Sequence, residues 1–146
     1  MPPHTYGTFT KALQAGKLEP AYYFLGAENV LKDEATTALL DKVLDPGLRD
    51  FNLDIRSAQQ LEPEDVLSLC TTLPMMAERR VVVVRDVEAW KRKTRGKKAV
   101  LEYLQKPIPE TLLVLVQGAA SEAKDDKPGA DLAKHAYTIA VAERPV

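Results

Sequence analysis

The chain has 146 residues, of which 45% are hydrophobic and 28% are charged, and its formal net charge is −1. These values fit one globular domain with a packed core, and they exclude a molecule whose whole surface attracts nucleic acid. The one cysteine, Cys70, excludes an internal disulfide and a metal site built of thiolates. No apolar run approaches the roughly 18 residues that a membrane span needs. We therefore expect a cytoplasmic protein without membrane contact, bound metal or cofactor.

The first third of the sequence predicts a helix, a buried strand and a second helix. A short helix is expected over residues 8–16, ending at a glycine. The continuous apolar run 21–25 predicts a strand buried on both faces, as in a parallel sheet. Asn29 is then expected to cap a helix with one buried stripe. That stripe consists of Leu31, Ala35, Ala38, Leu39 and Val43.

The rest of the chain continues the alternation of strands and helices. Apolar and polar residues alternate over 51–55, which predicts a strand near the edge of the sheet. A helix opened by residues 63–65 and stopped by Pro74 has one apolar face, formed by Val66, Leu69, Cys70 and Leu73. The alternation predicts a three-layer αβα fold with a parallel sheet of about five strands. The other predicted elements are a strand at 81–84, a helix at 97–105, a strand at 112–116, a loop at 118–131 and a strand at 137–141.

The turn after the first buried strand is where an open parallel sheet would bind phosphate. A phosphate-binding loop has a glycine, four residues, a second glycine, a lysine and then serine or threonine. Gly26 and Lys32 are in register with this pattern. Leu31 adds bulk where the second glycine belongs, and Asp33 and Glu28 put negative charge where phosphate oxygens would lie. We therefore expect a degenerate phosphate loop that does not bind a nucleotide.

The acid that would hold magnesium is also displaced. In an ATP site it directly follows an apolar strand, but here Arg85 follows the strand and Asp86 comes one place late. A slip of one residue turns a strand side chain to the opposite face of the sheet. The alternative is a nucleotide-binding P-loop-type ATPase with a divergent loop, in which Lys32 reaches a phosphate and Asp86 or Glu88 holds magnesium.

Three segments together resemble the delta subunit of the bacterial DNA polymerase III clamp loader. They are residues 22–35, which begin Tyr-Tyr-Phe-Leu-Gly-Ala-Glu-Asn, the pair Phe51-Asn52, and residues 73–84, Leu-Pro-Met-Met-Ala-Glu-Arg-Arg followed by four valines. The similarity covers roughly residues 18–117. It implies the fold of AAA+ ATPases without a working ATP site, and hence no catalysis by this chain within the polymerase holoenzyme, a nucleotidyltransferase complex.

The resemblance also implies partners in DNA replication. The first domain of the family binds the sliding clamp (the beta subunit) and helps to hold one interface of that ring open. Other clamp-loader subunits join the family's full-length members through later lid and collar domains. This chain stops before both, so we expect residues 1–146 to form a single, monomeric domain.

The family's clamp-contacting element matches a short segment of this chain: Leu73, Pro74, Met75 and Met76. Adjacent flexible methionines can fill an irregular apolar pocket on a partner. A polar rim is expected around them, formed by Glu78, Arg79 and Arg80. From the residues alone, we would favour methionines that cap the domain's own core, and the resemblance reverses this preference to clamp contact. Leu73 can also continue the buried face of its helix. Some family members have a bulkier aromatic at the position of Met76.

Six cations occur within eight residues: Lys91, Arg92, Lys93, Arg95, Lys97 and Lys98. They can contact DNA phosphates, or they can form a solvated loop that leads into a helix starting at Lys97. We favour the loop, because no regular pattern of aromatic residues accompanies the cations. Trp90 stands alone and is expected to pack against the edge of the sheet.

Overall fold

The computed structural model describes residues 4–25, 29–90, 94–118 and 137–140. The strands in these residues are β1 (His4–Thr5), β2 (Ala21–Leu25), β3 (Leu53–Ser57), β4 (Arg80–Arg85), β5 (Thr111–Val116) and β6 (Tyr137–Ala140). They form one sheet in the order β1-β6-β2-β5-β4-β3, and each neighbouring pair is parallel. The predicted parallel sheet is confirmed. It has six strands rather than about five within the described residues, because the two-residue β1 was not predicted.

Helices and short 3-10 turns connect the strands. The helices are α1 (Tyr6–Gln14), α2 (Asn29–Val43), α3 (Arg49–Asn52), α4 (Asp65–Thr71) and α5 (Thr94–Gln105), and the 3-10 turns are Ala58–Gln60 and Val87–Trp90. Within the described part of the chain, no helix has the length and apolar character that crossing a membrane requires.

The sheet is buried on both faces along its central strands, because the middle positions of β4 and β5 are all apolar. Successive strand side chains point to opposite faces, so Val81 and Val83 face one core cluster while Val82 and Val84 face the other. Helices α1 and α2 cover the first face, and α4 and α5 cover the second. This arrangement is the predicted three-layer αβα sandwich.

Gly16 ends the first helix in the way its position predicts. Its φ of 78° lies in the left-handed region, which glycine adopts without a side-chain clash. The Gly16 amide donates to the carbonyl of Leu13 at 3.0 Å, and the Lys17 amide donates to that of Ala12 at 2.9 Å. These bonds satisfy carbonyls that the end of α1 would otherwise leave without a partner.

Several predicted boundaries are wrong by a few residues. Asn29 is the first residue of α2 rather than the residue before it, and α5 begins at Thr94 rather than at Lys97. The predicted strand at 51–55 begins only at Leu53, because the two residues before it end the short helix α3. β3 does lie at the edge of the sheet, as expected.

Trp90 packs inside the domain. It is fully buried in the second core cluster, which includes Ala58 directly after the edge strand β3, and its indole N–H donates to the carbonyl of Leu61 at 2.9 Å. A buried indole needs such an acceptor. The tryptophan thereby ties the turn after β4 to the chain that leads into α4.

Candidate functional site

The carboxyl ends of the central strands surround a polar cleft of about 250 Å³. Its lining consists of Lys32, Asp33, Arg85, Asp86, Val116, Gln117 and Gly118. This is the edge of the sheet where a parallel α/β fold binds ligands. Gly26 and the turn that follows β2 lie outside the described residues, so the cleft is defined by α2 and by the ends of β4 and β5.

Lys32 is turned inward, although it lies in the first part of α2. Its side chain is only 1% exposed, and its Nζ donates a hydrogen bond to the main-chain carbonyl of Gln117. Burial lowers the pKa of Lys32, while the nearby carboxylates of Glu88, Asp33 and Asp86 act in the opposite direction. The ammonium group of Lys32 therefore interacts with groups of the protein itself, namely the Gln117 carbonyl and the nearby carboxylates.

Asp86 is placed differently from the expectation. It follows the end of β4 with a φ of 59°, in the left-handed region that aspartate tolerates better than most residues. Because it is no longer in a strand, the predicted turn to the opposite face does not apply, and its carboxylate lines the cleft. Its Oδ2 also accepts a 3.4 Å hydrogen bond from the hydroxyl of Ser57.

Gly118 allows two acids to approach the end of β5. A Cβ at this position would lie 2.3 Å from Asp86 Oδ1 and 2.3 Å from Glu88 Oε2. The Gly118 amide instead donates to Glu88 Oε1 at 2.9 Å. Gly118 and Gln117 were not among the predicted site residues. A glycine two residues after the apolar run 112–116 was the available signal.

Leu31 does not fill the cleft. Its side chain is 2% exposed and belongs to the first core cluster, between α2 and the sheet. The expectation that leucine adds bulk in the phosphate loop is therefore wrong in its geometry. The helix turns Leu31 towards the core and the next residue, Lys32, towards the sheet edge. The groups that occupy the site are the lysine and the surrounding acids.

The predicted clamp-contacting segment lies at the amino ends of the strands, opposite to the cleft at their carboxyl ends. Residues 73–76 follow the end of α4 and precede β4, so they lie where β4 begins. Leu73 is 78% exposed, Met75 56% and Met76 84%, while Pro74 is partly buried. The alternative in which the methionines cap the domain's own core is therefore wrong. We refer to residues 73–76 as the apolar tip.

Leu73 does not continue the buried face of α4. The helix ends at Thr71, and Thr72 already has extended backbone angles. Val66 and Cys70 are fully buried and Leu69 is partly buried, as the spacing predicts. The helix therefore ends two residues before Leu73, and the side chain of Leu73 is exposed at the surface.

A buried side chain holds the main chain of the tip. Asn52 is fully buried. Its Oδ1 accepts a 2.6 Å hydrogen bond from the Met75 amide, and its Nδ2 donates to the carbonyls of Met75 at 2.9 Å and Leu48 at 3.1 Å. The neighbouring Phe51 is 60% exposed. The tip is thus fixed through its backbone, while the side chains of Leu73, Met75 and Met76 remain exposed.

The predicted polar rim is only partly present. Glu78 is exposed and Arg79 is partly buried, but Arg80 is only 7% exposed and lies in β4. The guanidinium of Arg80 forms an ion pair with Asp54, and its Nε donates to the carbonyl of Leu69 at 3.1 Å. Arg80 therefore connects β4 to β3 and α4, and the prediction that it belongs to the polar rim is wrong.

The basic run is described only in part. Lys91, Arg92 and Lys93 lie outside the described residues, and Arg95 lies in α5. The expectation of a loop up to Lys97 is wrong for Thr94 to Gly96, which are helical. Across the ranges that the structure describes, no group of three or more His, Cys, Asp or Glu residues is arranged to hold a metal ion.

Comparisons with known proteins agree with this geometry. The fold is similar to that of the P-loop NTPase domain of a sigma-54 transport activator from E. coli, with a TM-score of 0.52 at 14% identity over 95% of each chain. The sheet and its helices therefore form an α/β domain whose fold is similar to that of P-loop NTPase domains. The model of the DNA polymerase III delta subunit family matches residues 22–141. The chain belongs to that family.

Two relatives are similar over nearly the whole chain. DNA polymerase III subunit delta of Bacillus subtilis is 30% identical over 139 aligned residues, and the match covers 91% of this chain and 40% of the relative. The solved structure of the Bacillus subtilis DNA clamp loader delta protein, YqeN, superposes with a TM-score of 0.82 at 26% identity, covering 96% of this chain and 43% of that one. The chain thus spans less than half the length of these proteins.

Proposed function

We propose that this chain is a clamp-binding domain of a clamp-loader delta subunit, and that it acts in DNA replication without catalysing a reaction. The observation that carries the proposal is the apolar tip, because Met75 and Met76 project from a folded domain whose other apolar residues are mostly buried. Methionine side chains adapt to irregular apolar pockets. A fixed, exposed apolar group of this kind stabilises a complex when a partner removes it from water.

The proposed partner is the sliding clamp, and the proposed effect is to help open the ring. A binding domain can shift the clamp from its closed form to one with a relaxed interface only if it binds the relaxed form more tightly. No bond needs to be broken for this effect. The Bacillus subtilis relative is named a DNA clamp loader delta protein, and membership of the same family supports this assignment.

The arrangement of the cleft supports a function without nucleotide. An ATP site needs a lysine that is free to contact phosphate, and here the lysine hydrogen bonds to Gln117 while acids lie around it. Added ATP and magnesium should therefore give no binding with a dissociation constant below about 1 mM. Saturable heat at micromolar ATP would instead support the alternative of a divergent ATPase.

A titration of the chain with its cognate clamp tests the proposal. We expect saturable binding to the intact ring, and tighter binding to a clamp whose ring interface has been weakened by substitution. The second comparison isolates the ring-opening step, because only a difference in affinity can shift the equilibrium. Equal affinity for both clamp forms would contradict ring opening, and no binding to either would contradict the proposal as a whole.

A further inference from the structure

Asn52 is a buried polar residue that lies away from the cleft. Its side chain hydrogen bonds to the main chain of Leu48 and Met75. It ends α3, directly before the edge strand β3, and is fully buried. A buried side-chain amide is stable only when its donors and acceptor find partners. Two of the partner groups of Asn52 are the amide and carbonyl of a single residue, Met75.

The pair of bonds to Met75 has a specific geometric effect. An amide side chain that accepts from one residue's N–H and donates to the same residue's C=O imitates a neighbouring strand. It fixes the position of the Met75 backbone by two bonds, of 2.6 and 2.9 Å, without covering its side chain. The third bond, to the Leu48 carbonyl at 3.1 Å, fixes the amide itself against α3.

Met76 shows that the tip backbone is held in an unfavourable conformation. Its φ is 57°, in the left-handed region, which is unfavourable for a residue with a Cβ. Such a conformation persists when the surrounding structure determines it. The bonds from Asn52 act on the residue immediately before Met76, so they are placed to maintain this turn.

We propose that Asn52 is a positioning residue for clamp binding, which holds the apolar tip in its binding conformation before the clamp arrives. This inference rests on the proposed function of the tip. Ordering a loop during association lowers affinity, and a loop that is already ordered avoids that loss. Asn52 therefore raises the affinity of a surface that it does not itself reach.

The test compares Asn52→Ala and Asn52→Asp with the parent chain. Asn52→Asp keeps an acceptor for the Met75 amide but cannot donate to the two carbonyls. We expect both variants to bind the clamp about tenfold more weakly, since flexible methionines must then be ordered on binding. Thr36→Val is the matched control, because it removes a buried side-chain bond to the carbonyl of Lys32 in α2.

Hydrogen exchange provides a readout that does not depend on the clamp. The Met75 amide should be protected in the parent and lose its protection in both Asn52 variants, while Thr36→Val leaves it protected. A Met75 amide that exchanges freely in the parent would overturn the inference, even if neither variant folds. Unchanged affinity and unchanged protection in a folded Asn52 variant would do the same.

A double-mutant cycle separates this inference from the proposed function. When Met75→Ala and Met76→Ala have removed the tip side chains, adding Asn52→Ala should weaken binding little further, because Asn52 acts only through the tip. An equal tenfold loss in both backgrounds would show that Asn52 acts elsewhere and would overturn the inference. If the tip double variant binds like the parent, the proposed function fails, whereas the exchange result for Asn52 still stands.

Discussion

Lys32 and Gln117 are joined across the carboxyl edge of the sheet, with the lysine Nζ donating to the main-chain carbonyl of Gln117. This bond connects the first part of α2 to the end of β5. It places a buried cation beside Asp86 and Glu88, at the carboxyl ends of the strands, where open parallel α/β sheets bind ligands. The lysine is thereby a structural residue of this domain.

Replacing Lys32 is expected to destabilise the fold. Lys32→Met keeps most of the apolar stem but leaves the Gln117 carbonyl without this donor, which should lower the free energy of unfolding by about 1–3 kcal/mol. Urea denaturation measures the change. The matched control is Lys98→Met, an exposed position in α5, where a change of about 0.5 kcal/mol or less is expected. Equal effects at the two positions would contradict a structural role for Lys32.

Gly118→Ala should also destabilise the carboxyl edge. The added methyl group would meet Asp86 and Glu88 carboxylate oxygens at 2.3 Å, and displacing them breaks the bond from the Gly118 amide to Glu88. We expect a loss of about 1–3 kcal/mol in thermal or urea unfolding. In Gly47→Ala the nearest contact is 3.4 Å, so that variant serves as the control. A loss no larger than that of the control would show that the acids move away freely.

The ion pair between Arg80 and Asp54 should matter far more than a surface pair. Arg80 is buried, so Asp54→Ala leaves a desolvated guanidinium without its carboxylate and should cost about 3 kcal/mol of stability. The pair of Asp41 and Arg49 has a 2.7 Å contact, but the Asp41 side chain is 63% exposed. Asp41→Ala is therefore expected to cost about 0.5 kcal/mol. Similar losses in the two variants would contradict this ranking.

Stability should fall in alkaline solution because of Cys70 and Tyr103. Burial raises the pKa of the Cys70 thiol from 9.0 to about 12, and burial also raises the pKa of the Tyr103 phenol above its usual value. The folded state thus favours the protonated thiol. The resulting stability is present below pH 9.0 and is lost as pH rises towards about 12. Lys32 has a lowered pKa and contributes in the opposite sense as pH approaches 10.5.

The measurement is urea unfolding at several pH values between 9.0 and about 12 for the parent and for Cys70→Ala. We expect the free energy of unfolding to fall less steeply with pH in the variant, since one of the two buried acids is then missing. An identical slope in both proteins would show that the thiol does not contribute.

The sequence predicted the order of the elements better than it predicted their ends. The strand at 81–84 was correctly predicted, because a short run of valines is typical of a strand that is buried on both faces. Phe51 and Asn52 were assigned to a strand because alternation continues through them, yet a tertiary contact decides their structure. The amide of Asn52 bonds to Met75, which is distant in sequence, and no local pattern reveals such a partner.

The two candidate sites differed in how much the sequence could show. At residues 73–76 the residue pattern alone favoured methionines that cap the core, and it was the family resemblance that favoured an exposed segment. At the cleft, the sequence showed which residues depart from a phosphate-binding loop, but it did not show where their side chains lie. The left-handed backbone of Asp86 and the close approach permitted by Gly118 depend on how β4 and β5 end next to each other in the sheet. Which strands become neighbours depends on the topology of the whole sheet and is not encoded in a local stretch of sequence.

The most direct test of the clamp-binding account is the affinity of the Met75→Ala/Met76→Ala chain for the cognate sliding clamp. Val30→Ala, a truncation of an exposed apolar residue on α2, is the control. We predict that the double variant folds like the parent and loses about 2–4 kcal/mol of binding free energy, while the control binds normally. A correctly folded double variant that binds the clamp as tightly as the parent would contradict the account.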